Sequence, residues 1–174
     1  MEQHASLIRR AGVADADLLA TLGARTFSDT FASNNRPEDM AAYLSASFSP
    51  ARQAEELRDP LSMFLIAEID ERAVGYAKLS AGRVPDCVKG ERPTEIVRIY
   101  VEREWLGRAV GEALMRGCIS EAQGAGYRTL WLGVWEHNER AKAFYRKWGF
   151  REVGTHIFEL GSDRQTDILM ERPL

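Results

Sequence analysis

Two features of the sequence predict an α/β (α+β) fold with a mixed central β-sheet of about seven strands and helices on both faces. The C-terminal half alternates strand, helix, strand and helix, an order that requires parallel pairing with crossover connections. Earlier in the chain, apolar strands at residues 63–68 and 73–79 flank a polar turn at residues 70–72, which is typical of an antiparallel hairpin. Because no Gly/Ser-rich or Pro-rich linker interrupts the chain, residues 1–174 are expected to form a single domain.

The N-terminal part is predicted to contain a short strand and three helices. Asp15 can cap the first helix through its side-chain oxygen, and Pro37 suits the first turn of the second. Apolar residues recur at helical spacing after both positions. In order, we expect a strand at residues 6–10, helices at residues 15–31 and from residue 37 onward, and a short helix between Pro50 and Asp59.

The C-terminal part is predicted to contain four elements rich in β-forming residues and two amphipathic helices. Gly149 is well placed just beyond the end of the last helix. In order, after a polar loop at residues 81–93, we expect a strand at 95–101, a helix from Leu106 to about Gln123, a strand at 129–135, a helix at 138–148, and closing strands at 150–153 and about 166–171.

Charge and composition argue against several classes of protein. The formal net charge is −3, whereas nucleic-acid-binding domains usually carry a basic excess, so we expect no nucleic-acid partner. His4, His137 and His156 form neither an HxxxH nor an HExxH pattern, and Cys87 and Cys118 cannot complete a four-ligand zinc site, so no metal is expected.

No apolar segment approaches the roughly 18 residues of a membrane span, and the N-terminus lacks the apolar core of a signal peptide. We therefore expect a cytoplasmic protein without a membrane partner.

The most informative segment is residues 95–111 (EIVRIYVEREWLGRAVG), where a strand leads through a short turn into a helix. Such a turn points free backbone N–H groups and the positive end of the helix dipole at whatever lies above it. The small residues Gly107, Ala109 and Gly111 let a ligand approach the backbone, and Arg108 adds a positive charge. These features suit a pyrophosphate, and small residues equally suit ordinary helix packing.

A second segment, residues 134–150 (VWEHNERAKAFYRKWGF), places Asn138 after a strand and then reads A-x-x-F-Y-x-K-x-G-F. This pattern resembles the last sequence block of the GNAT acetyltransferase family, and residues 95–111 resemble that family's acyl-CoA block. The two blocks stand in the family's order and spacing. With RTFSDTFASNNRPEDMAAYL near the N-terminus and GSDRQTDILM near the C-terminus, nearly the whole chain is similar to the PaiA-type branch, which acetylates polyamines such as spermidine.

The sequence departs from the family in two places. The family's pyrophosphate loop usually reads Gln/Arg-x-x-Gly-x-Gly/Ala, and here Leu106 and Ala109 stand in place of the polar residue and the first glycine. Ala109 fits there if its backbone is helical, with φ below zero. The glutamate that often precedes the arginine of the strand is replaced by Val97, and Glu95, two residues earlier, lies on the same strand face.

The resemblance implies direct transfer of an acetyl group from acetyl-CoA to an amine. It assigns Tyr145 as the acid that protonates the leaving thiolate, because a phenol with an ordinary pKa of about 10 is neutral at pH 7. Glu95 is the candidate base, acting directly or through water, and a small amine can also react without a dedicated base. The alternative interpretations assign no catalytic role: Tyr145 would be a core aromatic residue, and Glu95 would be a carboxylate at a strand end.

The resemblance also implies which residues bind acetyl-CoA. Asn138 hydrogen-bonds the pantetheine arm, caps the following helix, or does both. Lys142 and Lys147 either reach the nucleotide phosphates or form a solvated cationic face. The remaining predicted contacts are the backbone of Ile99, Tyr100 and Val101 and the loop formed by Leu106, Gly107, Arg108, Ala109, Val110 and Gly111.

The acceptor amine is expected between the helices of residues 21–58 and the loop at residues 81–93, which cover that side of the cleft in the family. A polyamine needs carboxylates and aromatic rings there, and the candidates are Asp29, Glu38, Asp39 and Tyr43. A protein N-terminus and an amine antibiotic are alternative acceptors. A CoA-binding regulator without turnover is the alternative from another class. Because family members are often dimers, a homodimer is also considered.

Overall fold

The computed structural model describes residues 6–174, so residues 1–5, among them His4, lie outside the described residues. Residues 6–174 contain one mixed sheet of the strands β1 (Leu7–Arg10), β2 (Ser62–Ile69), β3 (Arg72–Ser80), β4 (Pro93–Val101), β5 (Thr129–Trp135), β6 (Arg151–Leu160) and β7 (Asp163–Pro173). The strand order is β1-β2-β3-β4-β5-β7-β6. All neighbouring strands are antiparallel except β4 and β5, which run parallel. The predicted mixed sheet of about seven strands is confirmed.

Five α-helices within residues 6–174 cover the two faces of the sheet, which confirms the predicted layers. They are α1 (Ala16–Phe31), α2 (Pro37–Ser47) and α3 (Pro50–Arg58) on one face, and α4 (Val110–Gly124) and α5 (Glu139–Lys147) on the other. Neighbouring residues of β2 show the division, since Leu65 shares a buried cluster with Leu114 of α4, and Ile66 shares one with Leu19 of α1. Burial on both faces explains why β2 reads as a continuous apolar run. No helix in the described part of the chain is long and apolar enough to cross a membrane.

The sheet opens between β4 and β5. β4 pairs with β3 along most of its length, but it pairs with β5 only from Pro93 opposite Thr129 to Glu95 opposite Trp131. Just beyond that point the register between β3 and β4 shifts, so that Val97 bulges out of the ladder. A bulge bends a strand and increases its twist, which turns β4 away from β5. The two strands therefore diverge like the arms of a V.

The bulge also determines which side chains of β4 share a face. Before it, Ile96 belongs to the cluster beneath α4. After it, Arg98 pairs with Glu56 of α3, and Tyr100 packs beneath α1. Because Glu95 alternates with Ile96, its carboxyl group faces the same side of the sheet as Arg98 and Tyr100.

A buried ion cluster joins α3 to this part of the sheet. Glu56 accepts hydrogen bonds from Lys78 Nζ at 2.9 Å and from Arg98 Nη1 at 2.7 Å. The side chains of Glu56, Lys78 and Arg98 are only 7%, 10% and 13% exposed. Burial alone would raise the pKa of Glu56, but the hydrogen bonds from Arg98 and Lys78 outweigh it, so this pKa lies below its ordinary value.

Asp15 does not cap α1 as predicted. Its carboxylate pairs with Arg9 at 2.8 Å and accepts a hydrogen bond from the backbone N–H of Gly12. A short 3₁₀ turn, Val13–Asp15, precedes α1, so the side chain of Asp15 binds β1 rather than the free N–H groups of the helix.

α4 begins at Val110 rather than at Leu106, because the turn before it has left-handed backbone. Gly107 has a φ of +76° and Ala109 a φ of +63°. A residue in this region interrupts a right-handed helix. The expectation of a helical φ below zero at Ala109 is therefore wrong, and the glycine usual in the family avoids the steric cost that the Ala109 side chain incurs.

The closing strands are longer than the predicted 150–153 and 166–171. β6 and β7 form a hairpin that turns at Gly161, with a φ of +60° and Leu160 opposite Asp163. Most of β6 is exposed, so its sequence lacks the apolar alternation that predicts a strand. Asp39 of α2 anchors the turn by accepting hydrogen bonds from the backbone N–H and the hydroxyl of Ser162.

Replacing Glu56 by glutamine should destabilise the protein, because Lys78 and Arg98 would remain buried without a compensating charge. We expect the free energy of unfolding, measured by chemical denaturation, to fall by about 3 kcal/mol. Glu55→Gln is the matched control, since the Glu55 side chain is 70% exposed, and it should change stability by less than about 0.5 kcal/mol. Equal and small effects of the two substitutions would contradict the assigned cluster.

Replacing Ala109 by glycine should stabilise the protein by about 1 kcal/mol. Relief of the left-handed strain outweighs the greater freedom of glycine in the unfolded chain. Ala113→Gly, inside α4, should instead lower the free energy of unfolding by about 1 kcal/mol. Chemical denaturation measures the free energy of unfolding of both variants. If both substitutions change it in the same direction, the backbone conformation assigned to Ala109 is contradicted.

Candidate functional site

A cavity of about 1150 Å³ occupies the opening between β4 and β5. β4 lines it continuously from Glu95 to Val101, and β5 lines it with Trp131 and with residues 133–135. Side chains from both faces of the sheet contribute, such as Phe27 of α1 and Phe144 of α5. The cavity therefore has an α4 side, next to α4 and α5, and an α1 side, next to α1, α2 and the β6–β7 hairpin.

The α4 side offers backbone groups that suit an anionic ligand with an amide-containing arm. The first hydrogen bond of α4 runs from the N–H of Ala113 to the C=O of Ala109 at 3.0 Å, so Val110, Gly111 and Glu112 have no helical acceptor for their N–H groups. These amides and the helix dipole attract a phosphate. Beyond Glu95, the edge of β4 that faces β5 makes no ladder hydrogen bonds within the described chain, and such an edge can pair with amides of a ligand.

The structure divides the predicted binding residues of β4 and the following turn into two groups. Arg108, Ala109 and Val110 do not line the cavity, since Arg108 lies over the Trp105 ring at 5.3 Å and Val110 is buried in the core. The residues that do line it are Ile99, Tyr100, Val101, Leu106, Gly107 and Gly111.

Asn138 both caps α5 and lines the cavity. Its Oδ1 accepts a hydrogen bond from the backbone N–H of Ala141 at 3.2 Å. Asn138 can therefore cap α5 and also contact a ligand in the cavity.

The cationic residues at the cavity differ from those considered in the sequence. Lys147 is exposed in the last turn of α5 and lies outside the cavity lining. Lys142 is buried, and its Nζ bonds Glu139 at 2.6 Å. Arg83 and Arg98 line the cavity, and so do Arg103 and Arg140. Sequence reasoning missed the last two, although Arg103 follows the predicted strand by two residues and Arg140 follows Asn138 by two.

Tyr145 is held by packing within α5 and the core. Its ring centroid lies 5.6 Å from that of Phe144 and 5.8 Å from that of Phe150, and the residue lines the cavity while being 8% exposed. Burial raises the pKa of the phenol well above its ordinary value, and the nearby Cys118 raises it further, so the group is neutral over the whole physiological range. In the described part of the chain no group hydrogen-bonds the Tyr145 hydroxyl.

Glu95 lies at the point where β4 and β5 part, with its carboxyl group in the cavity. Burial raises the pKa of Glu95 to about 7, although the positive charges of Lys78 and Arg98 oppose the shift. Among residues 6–174 no hydrogen bond or ion pair engages this carboxyl. A carboxyl with a pKa near neutrality can take up or release a proton at physiological pH.

The α1 side of the cavity is walled by aromatic rings. Phe27 and Tyr43 stack with centroids 4.6 Å apart, and Tyr43 meets Phe158 of β6 at 5.7 Å. Of the four predicted acceptor residues, Asp29 and Tyr43 line the cavity. Glu38 and Asp39 do not, because the Glu38 side chain is 75% exposed and Asp39 anchors the β6–β7 turn.

Two further polar residues, Gln165 and Asp167 of β7, line the α1 side. Burial raises the pKa of Asp167 to about 6, and His156 opposes the shift. Both residues belong to the segment GSDRQTDILM near the C-terminus, but that segment alone did not indicate where its side chains would lie. Their place follows from the long β6–β7 hairpin, which the sequence did not predict.

Known proteins similar in sequence or fold to this chain include acetyltransferases. Residues 25–150 match the sequence model of the acetyltransferase (GNAT) family. The chain is 35% identical over 164 residues to an uncharacterized N-acetyltransferase of Lactobacillus delbrueckii subsp. lactis. The aligned region covers 93% of this chain and 95% of that protein. It is 31% identical over 138 residues to N-alpha-acetyltransferase RimI of Mycobacterium tuberculosis, which covers 77% and 80%, respectively. PaiA N-acetyltransferase from Thermoplasma acidophilum, solved in complex with coenzyme A, has the same fold, with a TM-score of 0.78, 20% identity, and coverage of 98% of this chain and 99% of that chain.

The raised pKa of Glu95 should make the stability of the protein depend on this residue above neutral pH. An acid whose pKa is about 7 in the folded protein and 4.5 in the unfolded chain costs stability as the pH rises from 4.5 to 7, since the folded state resists ionisation. Glu95→Gln should therefore be more stable than the wild type at pH 8, and the difference should shrink toward pH 5. Chemical denaturation at pH 5 and pH 8 measures the difference in the free energy of unfolding between Glu95→Gln and the wild type. Glu91→Gln, at a side chain 79% exposed, is the control and should show no such dependence.

Proposed function

Because the chain belongs to the GNAT acetyltransferase family and is an acetyl-CoA-dependent N-acetyltransferase, we propose that it acetylates a primary amine of a small cationic molecule, with a polyamine as the favoured acceptor. The observation that carries the proposal is the pair of carboxyl groups, Glu95 and Asp167, that face the aromatic α1 side of one cavity. Carboxylates and aromatic faces are the groups that attract ammonium ions.

Acetyl-CoA supplies an acetyl group as a thioester, which an amine attacks at the carbonyl carbon while the sulfur leaves. The residues that would hold it fit its chemistry. The N–H groups without a helical acceptor at the start of α4, of which that of Gly111 belongs to a cavity-lining residue, would face the pyrophosphate. Gly107 leaves the approach open, since nothing lies within 4 Å of the position of its absent Cβ. The free edge of β4 at residues 99–101 would pair with the pantetheine amides.

Glu95 would accept the proton that the attacking amine loses, directly or through a water. Its carboxyl group stands where β4 and β5 part, between the two sides of the cavity, and its pKa of about 7 suits a base at neutral pH. The cationic neighbours Lys78 and Arg98 are already engaged by Glu56, so they do not hold Glu95 in a structural ion pair.

Tyr145 would donate a proton from its hydroxyl to the departing sulfur. Burial keeps the phenol protonated and makes it a weaker acid, so it would first stabilise the departing sulfur by a hydrogen bond, and a proton from water in the cavity would replace any that it transfers. Its ring is fixed by Phe144 and Phe150, and its hydroxyl has no competing partner among residues 6–174. A fixed, neutral donor is the form that general acid catalysis requires.

A protein N-terminus is the second candidate acceptor. The 31% identity to N-alpha-acetyltransferase RimI favours it. Against it, aromatic rings wall the α1 side, and α2 is joined to the β6–β7 hairpin through Asp39 and Ser162, which suits a slender linear amine better than a peptide. A homodimer and a cytoplasmic location stay predictions from the sequence.

The direct test is release of free thiol from acetyl-CoA with spermidine, spermine, small monoamines and a peptide with a free N-terminus. Saturable turnover with the polyamines, at a higher kcat/KM than with the peptide, is the expected result. Preference for the peptide would replace the proposed acceptor with a protein N-terminus. Binding of coenzyme A without turnover on any amine would instead support a regulatory protein.

Tyr145→Phe should lower kcat by about 100-fold, because it removes the acid and keeps the ring. The free energy of unfolding should change by less than about 1 kcal/mol, since the packing against Phe144 and Phe150 is retained. Tyr127→Phe is the matched control, because Tyr127 lies outside the cavity lining, and it should leave kcat unchanged. A Tyr145→Phe protein with wild-type kcat would remove this residue from the mechanism.

A further inference from the structure

The carboxyl group of Asp167 lies in the cavity without a protein partner. No hydrogen bond or ion pair engages it within residues 6–174, and it lines the α1 side of the cavity. His156 stands opposite it on β6, is exposed and lines the same cavity, but it makes no hydrogen bond or ion pair with Asp167 within residues 6–174. A half-buried carboxylate without a partner is costly to keep in a folded protein, and a cationic ligand would offset that cost.

The backbone around Asp167 leaves room for its carboxyl group. On β5, Trp135 stands opposite Asp167, and Gly133 lies two residues before Trp135. A Cβ at Gly133 would lie 3.3 Å from Oδ2 of Asp167, so the absence of a side chain there keeps the carboxyl group uncrowded and on the cavity face of the sheet.

Gln165, two residues before Asp167 on β7 and also in the cavity lining, carries a second hydrogen-bond acceptor without a donor. Its Nε2 donates to Asn35 Oδ1 at 2.7 Å and to Asp163 Oδ2 at 2.9 Å. Because a carboxylate only accepts hydrogen bonds, this pairing fixes the orientation of the amide. Oε1 of Gln165 is then left buried and without a partner, while the residue as a whole is 8% exposed.

These groups stand at a distance from Glu95 along the sheet. Glu95 is opposite Trp131, and Asp167 is opposite Trp135, four residues further along β5. At 3.3 Å per residue these backbone positions are about 13 Å apart along the strand, and because β4 and β7 flank β5 on opposite sides they are also about 10 Å apart across it. The Asp167 carboxyl group reaches back toward Gly133, which shortens only the separation along the strand. The rings of Tyr43, Trp135 and Phe158 line the same cavity. A molecule that reaches both carboxyl groups must therefore be long, with a positive charge at each end.

We propose that Asp167, with Gln165 beside it and the rings of Tyr43, Trp135 and Phe158 around it, forms a distal ammonium site that selects long linear polyamines over monoamines. The distal ammonium binds at Asp167 while the amine to be acetylated lies at Glu95. This inference rests on the proposed function and deepens it, because it assigns a specificity-determining residue within the same cavity. Asp167 takes no part in the acetyl transfer itself.

The test measures binding and turnover separately. Calorimetric titration of the coenzyme A-saturated protein with spermidine, and with butylamine as the matched monoamine, measures acceptor binding without reaction. Asp167→Asn should weaken spermidine binding by at least about tenfold, because a buried charge pair is lost, and should leave butylamine binding unchanged. Glu159→Gln is the control, since it removes one charge from the same hairpin at a side chain 70% exposed, and it should change neither.

A second variant keeps the proposal testable if Asp167→Asn folds poorly. Gly133→Ala retains the carboxylate but crowds it, and it should weaken spermidine binding selectively as well. Equal spermidine affinity in the wild type and both variants, or no preference of the wild type for spermidine over butylamine, would overturn the distal site. Selective binding that depends on Asp167 but yields no thiol release would support the site and contradict the proposed function alone.

Discussion

The separation of β4 from β5 creates the cavity and decides which groups can meet in it. Up to Glu95 the two strands are paired, and beyond it the bulge at Val97 turns β4 away. The opening exposes a strand edge in the middle of the sheet, which a ligand with amide groups can pair with. It also connects the two faces, so that an acyl donor held beside α4 and an amine held beside α1 can meet at Glu95. Transfer between two bound molecules requires this proximity.

The charges around the opening are arranged so that Glu95 stays free to take a proton. Arg98 and Lys78 point toward the same face, and either could hold Glu95 as a permanently ionised partner. Glu56 of α3 engages both of them, at 2.7 Å and 2.9 Å. α3 therefore contributes to the electrostatics of the cavity without lining it. The cost of burying this cluster is offset by its internal pairing, and the cost of burying Glu95 appears as its raised pKa.

The sequence was sufficient for the elements with strong hydrophobic patterns, and insufficient where backbone geometry or long-range pairing decides the outcome. The β2–β3 hairpin, β5 and the position of Gly149 were predictable from local patterns. The left-handed backbone of Ala109 was not, because alanine rarely adopts it and the pattern resembled a helix start. The predicted acceptor carboxylates were Asp29, Glu38 and Asp39, and of these only Asp29 lines the cavity. Asp167 reaches it through a hairpin whose exposed strand gives little apolar signal. Tyr145 and Asn138 could be located because the family resemblance places them, and no local rule would have done so.

The pH dependence of kcat shows whether the carboxyl group at the opening acts as the base. The rate of thiol release with saturating acetyl-CoA and spermidine should rise with pH through an inflection near 7, the pKa of Glu95. In Glu95→Gln this inflection should be absent and kcat should be lower by about 100-fold. If Glu95→Gln keeps both the wild-type rate and the inflection, the amine loses its proton elsewhere, and the account of the opening as a catalytic centre organised around Glu95 is contradicted.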